Sequence, residues 1–135
     1  MNKRRQAREF ALQMLYQAEQ TEETFEAVVE NFYSGRFPDP EVKAYSQRLL
    51  KTLKDNLYQV DELLKAALIN YKLTRLGIVE RSLLRVCVAE LILKETDVKV
   101  VLDEAVEIGR DFVDEKAGGF VNGVLEKIAK TLGVL

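Results

Sequence analysis

Ile78-Val79-Glu80-Arg81-Ser82-Leu83-Leu84-Arg85-Val86-Cys87-Val88-Ala89-Glu90-Leu91-Ile92-Leu93-Lys94 is the stretch on which the reading of this chain turns. Only Glu80, Arg81, Ser82, Arg85, Glu90 and Lys94 interrupt its apolar residues. A helix that is apolar on nearly all sides belongs in the centre of a bundle, where every face meets another helix. The segment is therefore predicted as a core helix, entered through a short connector from Leu73 to Gly77.

Helical periodicity continues on both sides of it. Ala7, Phe10, Ala11, Met14, Leu15 and Ala18 recur at three and four residues, with Asn2 as a cap. Thr21 precedes Glu22 and Glu23, acids suited to a helix start, and Phe25, Val28, Val29, Phe32 and Tyr33 form the next stripe before Ser34-Gly35 ends it. Asp39-Pro40 reads as a cap followed by proline at the first helical position. From Val42 to about Tyr71 the spacing stays helical, too long for one uncapped helix, so a break is placed near Asp55-Asn56. Thr96 or Asp97 caps a helix carrying Val98, Val101, Leu102, Ala105, Ile108 and Phe112. A last helix from about Glu115 to Leu132 buries Ala117, Val121, Val124, Leu125 and Ile128. No strand-like alternation or internal repeat emerges, and the fold class is all-α, with about seven helices and short connections.

Composition narrows the function. A chain of 135 residues fits a single domain, residues 1–135, and buries roughly two thirds of its unfolded surface without needing disulfides or metal. No apolar run approaches a membrane span, and no export signal is visible, so a cytoplasmic location is expected. One cysteine and no histidine leave little for a zinc site or a nucleophile with its base, and neither metal nor cofactor nor enzymatic activity is expected. Cys87, inside the apolar run, reads as a small core hydrophobe.

Two basic patterns call for a reason. Arg4, Arg5 and Arg8 lie in the opening turns of the first helix, where the macrodipole disfavours cations by roughly 0.3–1 kcal/mol each. At 100° per residue Arg5, Arg8, Leu12 and Tyr16 share one strip, read as a solvent-facing edge able to grip phosphates and stack on bases. The structural alternative is a charged face with Arg5 paired to Glu9. In the last helix Lys116, Phe120, Gly123 and Lys127 recur at four, three and four residues, putting an aromatic between cations. Gly118, Gly119 and Gly123 each cost about 1 kcal/mol inside a helix, which implies a close neighbour at some of them. The alternative is that Phe120 is ordinary core. A formal charge of −2 gives no global attraction for phosphate, so RNA binding needs a local patch and a partner protein. Glu80, Arg81 and Arg85 on the central helix are candidates for that partner contact, or for an internal salt bridge.

The order and spacing of several short pieces carry a resemblance. They are Arg4-Arg5-Gln6-Ala7-Arg8-Glu9 with Leu15-Tyr16, Arg75-Leu76-Gly77-Ile78-Val79-Glu80-Arg81, Leu84-Arg85, Glu90-Leu91, Asp103-Glu104-Ala105-Val106-Glu107 and Phe120-Val121-Asn122-Gly123-Val124-Leu125. From about residue 3 to residue 130 the chain resembles the NusB family of transcription antitermination factors. The resemblance implies two packed helical subdomains and a protein that joins the ribosomal protein NusE to recognise boxA RNA in nascent transcripts. That assembly belongs to the RNA polymerase antitermination complex and suppresses premature termination, notably in ribosomal RNA operons. Arg4, Arg5, Arg8, Tyr16 and Phe120 match RNA-contacting positions of the family, with Lys116 and Lys127 beside them, and Glu80 and its neighbours match the NusE-facing surface. Two departures stand out: no proline precedes Lys99-Val100, and Gly119 replaces a common cation, for which Lys116 is the expected substitute. Related helical domains also occur in ribosomal RNA cytosine methyltransferases, but no glycine-rich cofactor loop or catalytic cysteine motif is present here. The alternative reading is a helical interaction or homodimerisation module without RNA binding.

Overall fold

A computed structural model describes residues 2–135. Within them the chain forms seven α-helices: α1 (Lys3–Thr21), α2 (Phe25–Tyr33), α3 (Pro40–Asp55), α4 (Leu57–Ala67), α5 (Ile78–Leu93), α6 (Val98–Phe112) and α7 (Glu115–Thr131), with a 3-10 turn at Leu73–Arg75 before α5. All of these helices except α4 and α5 start where a short polar side chain takes up free amides. Asn2 accepts from the Arg4 and Arg5 amides, Asp39 from Glu41, Asp97 from Lys99 and Asp114 from Ala117. The helix start expected around Thr21, Glu22 and Glu23 lies further on. Helix α1 runs through Thr21 and ends with Glu22 in the left-handed region, while Thr24 caps α2 by accepting from the Ala27 amide.

The predicted break at Asp55-Asn56 is present, with Asn56 closing α3 and opening α4. Helix α4, however, stops at Ala67 and not near Tyr71. Residues 68–72 leave helical geometry although their apolar spacing continues the pattern. Leu68 remains buried, whereas Ile69 and Tyr71 turn outward.

Helix α5 occupies the centre. It packs against α1, α3, α4, α6 and α7, and Leu83, Leu84, Val86, Cys87, Val88, Ala89 and Leu91 are all buried. It thus joins the α1–α3 group to the α4, α6 and α7 group as two packed subdomains. The Cys87 thiol is buried, and loss of water together with the Glu90 charge pushes its pKa far up.

The three glycines of α7 have different surroundings. A β-carbon on Gly118 would sit 3.1 Å from Val106 Cγ1 and 3.2 Å from the Val106 carbonyl oxygen, so α6 and α7 cross closely there. At Gly119 and Gly123 the same carbon would meet open space. Gly118→Leu is accordingly expected to cost about 1–3 kcal/mol by overpacking. Gly119→Ala should gain up to about 1 kcal/mol from helix propensity. Thermal melts of the two variants should move in opposite directions.

Candidate nucleic-acid interface

The N-terminal arginines are fastened into the fold. Arg8 is only 1% exposed; its Nε donates to Glu90 Oε1 at 2.6 Å and its Nη2 to Glu90 Oε2 at 2.8 Å. Tyr45 of α3 donates its hydroxyl to the same carboxylate at 2.7 Å, and Arg8 Nη1 lies 3.5 Å from Glu104 Oε1. Burial opposes the Arg8 charge, but the Glu90 hydrogen bonds and charge outweigh it and hold the guanidinium above its ordinary pKa. Burial likewise leads in pushing the Tyr45 phenol up to about 12.

This corrects the reading of Arg8 as an RNA contact. Arg8 and Leu12 are both buried, so the strip through Arg5, Arg8, Leu12 and Tyr16 is not a solvent-facing edge. The reason is that α1 packs on α2, α3 and α5, which widens its buried arc beyond the apolar stripe. Arg5 stands at the margin of that arc, 16% exposed. It pairs with Glu9 at 2.7 Å, as the structural alternative has it, and also with Glu107 at 2.8 Å, Asp111 at 2.8 Å and Glu104 at 3.2 Å. One guanidinium therefore faces four carboxylates, and this edge is acidic. Arg4 lies over the Tyr45 ring at 4.4 Å and donates to the Glu95 carbonyl at 2.8 Å and to Thr96. Tyr16 is 42% exposed.

The face of α7 is different in character. Lys116 and Lys127 are exposed, and neither forms an ion pair among the described residues. Phe120 between them is half-buried and meets Tyr71 edge-on, with ring centroids 5.5 Å apart and an interplanar angle of 77°. Lys72 and Arg75 beside Tyr71 are also exposed and without an ion pair among the described residues. A cleft of about 280 Å³ lies here, bounded by Tyr71, Arg75, Glu80, Asp114, Lys116 and Phe120. Phe120 and Lys116 thus come together with residues of the connector before α5. Arg8 binds Glu90, ten positions along α5 from Glu80, so the two ends of the sequence reading lie on the order of 15 Å apart along that helix.

The three candidate partner residues also separate. Arg85 makes a two-pronged pair with Asp61 of α4, at 2.9 and 3.0 Å, and Arg81 donates to the Leu76 carbonyl at 3.2 Å and pairs with Glu19 of α1. Their side chains are 18% and 11% exposed, and they tie α1, α4 and α5 together as internal salt bridges. Glu80 is half-buried and has no ion pair among the described residues. Burial and the nearby Asp114 charge raise its pKa. Periodicity hides Tyr71, because the apolar residues before Leu73 continue the helical spacing, and Arg75 sits in the connector, where no spacing ties it to α7.

The fold and this face define a class: a small all-helical scaffold with an aromatic pair that has exposed Lys72, Arg75, Lys116 and Lys127 around it and the carboxylates of Glu80 and Asp114 on one side, a surface suited to nucleic acid. The NusB family profile matches residues 5–130. The transcription antitermination protein NusB of Sorangium cellulosum is 39% identical over 134 residues, covering 98% of this chain and 96% of its own. T. maritima NusB superimposes with a TM-score of 0.85 at 34% identity, covering 94% of this chain and 90% of that one. A crystal structure of antitermination factors NusB and NusE in complex with dsRNA gives 0.87 at 31% identity, covering 97% and 98%. The chain belongs to the NusB family.

Two outcomes test the assignments at buried and half-buried charges. Glu90→Ala should cost about 3–5 kcal/mol in denaturant melts, because Arg8 is left charged, buried and unpaired. Glu80 has a raised pKa in the folded state, so the stability linked to its proton is complete below the unfolded-state pKa and is lost as pH rises through the folded one. Glu80→Gln should therefore raise the melting temperature at pH 7 and leave it nearly unchanged near pH 3.

Proposed function

We propose that this protein is a transcription antitermination factor that binds boxA RNA together with the ribosomal protein NusE, within the RNA polymerase antitermination complex. In this reading it suppresses premature termination in nascent transcripts, notably of ribosomal RNA operons. It acts by binding, not by catalysis, as a single domain in the cytoplasm. The observation that carries the reading is the set of cations around Phe120 and Tyr71 that form no ion pair among the described residues, on a chain whose net charge is −2. Such a patch holds phosphates locally without making the whole protein adhere to nucleic acid. Support also comes from the names of the relatives and from the likeness to NusB in its assembly with NusE and RNA.

Lys116 and Lys127 bind phosphate and Phe120 contacts a base, with Arg4 and Tyr16 as secondary contacts. Arg5 and Arg8 shape the α1 edge through their carboxylates. Glu80 faces NusE, where a partner cation relieves the cost of its half-buried charge.

The test is a titration of boxA RNA at several salt concentrations, with and without NusE. NusE should tighten RNA binding, and linkage requires RNA to tighten NusE binding by the same factor. Lys116→Gln and Lys127→Gln should each flatten the salt dependence by about one unit of slope. Phe120→Ala should lose roughly 1–3 kcal/mol. Equal RNA affinity with and without NusE, or NusE binding with no RNA binding at all, would overturn the proposal, the latter in favour of a purely protein-binding module.

A further inference from the structure

A second cleft lies on the other side of Phe120. It measures about 290 Å³ and runs between the connector after α4 and the surface of α7, lined by Ile69, Asn70, Tyr71, Gly119, Gly123 and Lys127 among others. Three observations set it apart. Its floor is bare helix backbone: Gly119 and Gly123 are four residues apart on one helix face, and a β-carbon at either would meet nothing within 4 Å. Each lowers helix propensity relative to alanine, and packing within the chain does not require either of them, in contrast to Gly118. Its wall is an aromatic ring, Tyr71, held on one edge by Phe120 yet 58% exposed.

Its charge is the third. Among the described residues no acidic one lines this cleft, while Lys127 does and the exposed Lys72 follows Tyr71 in sequence. The cleft between α2 and α3 holds Glu26, the one near the C-terminus Asp97, the one between α1 and α3 Glu41, and the neighbouring one Glu80. A flat apolar slot with a stacking face, a backbone floor and cations at its margin matches one unstacked base of a single-stranded RNA with its flanking phosphates. We infer that this cleft is a base-binding subsite in which a nucleobase inserts over Gly119 and Gly123 and stacks on Tyr71, with the Asn70 amide at its edge. The inference rests on the RNA-binding reading above. It adds a second base position beyond Phe120 and makes the connector at 69–71 a determinant of which base is accepted.

The experiment uses the full chain with NusE and short boxA RNAs carrying 2-aminopurine at successive positions. Gly123→Leu fills the floor from a position where a β-carbon meets nothing within 4 Å, and it should raise the melting temperature while weakening RNA binding at least roughly 5-fold. Tyr71→Ala should weaken binding roughly 5- to 100-fold, and Tyr71→Phe should stay within about twofold of the parent, because stacking needs the ring and not the hydroxyl. One RNA position should show quenched fluorescence in the parent and in Tyr71→Phe but not in the other two variants. The salt slope should be unchanged in all three, since no phosphate contact is removed. If Gly123→Leu and Tyr71→Ala bind RNA as the parent does while Lys116→Gln and Phe120→Ala weaken it, the RNA surface stands and this subsite falls. If Gly123→Leu weakens NusE binding and leaves RNA binding intact, the cleft takes protein and the inference is overturned. Absence of RNA binding by the parent in the presence of NusE removes both readings.

Discussion

The buried contact between Arg8 and Glu90 fixes where the helices of this protein stand. Both charges are out of water, and several kcal/mol of lost hydration per ion must be recovered from geometry. Two parallel hydrogen bonds, a third from Tyr45 and the nearby Glu104 supply that geometry, so α1, α3, α5 and α6 are brought to one point. An apolar contact tolerates sliding. A fork of guanidinium on carboxylate does not, and a shift of α1 along α5 would leave an unpaired ion in the core. The exposed surfaces inherit their placement from this point, because α5 also packs on α4 and α7.

Charge is sorted around that frame. On the edge formed by α1 and α6, cations are outnumbered by the carboxylates that hold them, and Arg81 and Arg85 are likewise consumed by Glu19 and Asp61. Around Phe120 and Tyr71 the cations have no such partners among the described residues. A nearly neutral chain can therefore present a positive face, and its field is short-ranged at physiological ionic strength, where screening extends about 8 Å. An RNA strand has to arrive at that face to feel it, which favours a complex in which a partner protein delivers or holds the strand.

Much of this was legible in the sequence, and the failures have identifiable causes. Helix number and most caps follow from period and local chemistry, as at Asp39-Pro40 and Asp97. The central place of α5 follows from its unbroken apolar run. Arg8 misled because periodicity assigns a charged residue to the outside, and only the pairing with Glu90, 82 positions away, shows that the inside can hold it. Both members of that pair are visible as oddities, an arginine in the opening turns of a helix and a glutamate in an apolar helix, but nothing local joins them. The role of the 68–72 segment was hidden by Leu68, Ile69 and Tyr71, whose spacing imitates another helical turn. That Lys116, Phe120 and Lys127 share one face of α7 follows from spacing alone.

The single thiol has a use of its own. Cys87 lies at the middle of α5, enclosed by helices on every side, and its raised pKa keeps it protonated as well as shielded. Local fraying of termini or of the connector does not uncover such a group; only an opening that parts the two halves of the protein does. The rate at which an alkylating reagent captures it is thus an intrinsic clock for global opening, and a cysteine added on the surface would carry a probe alone while the native one stays silent.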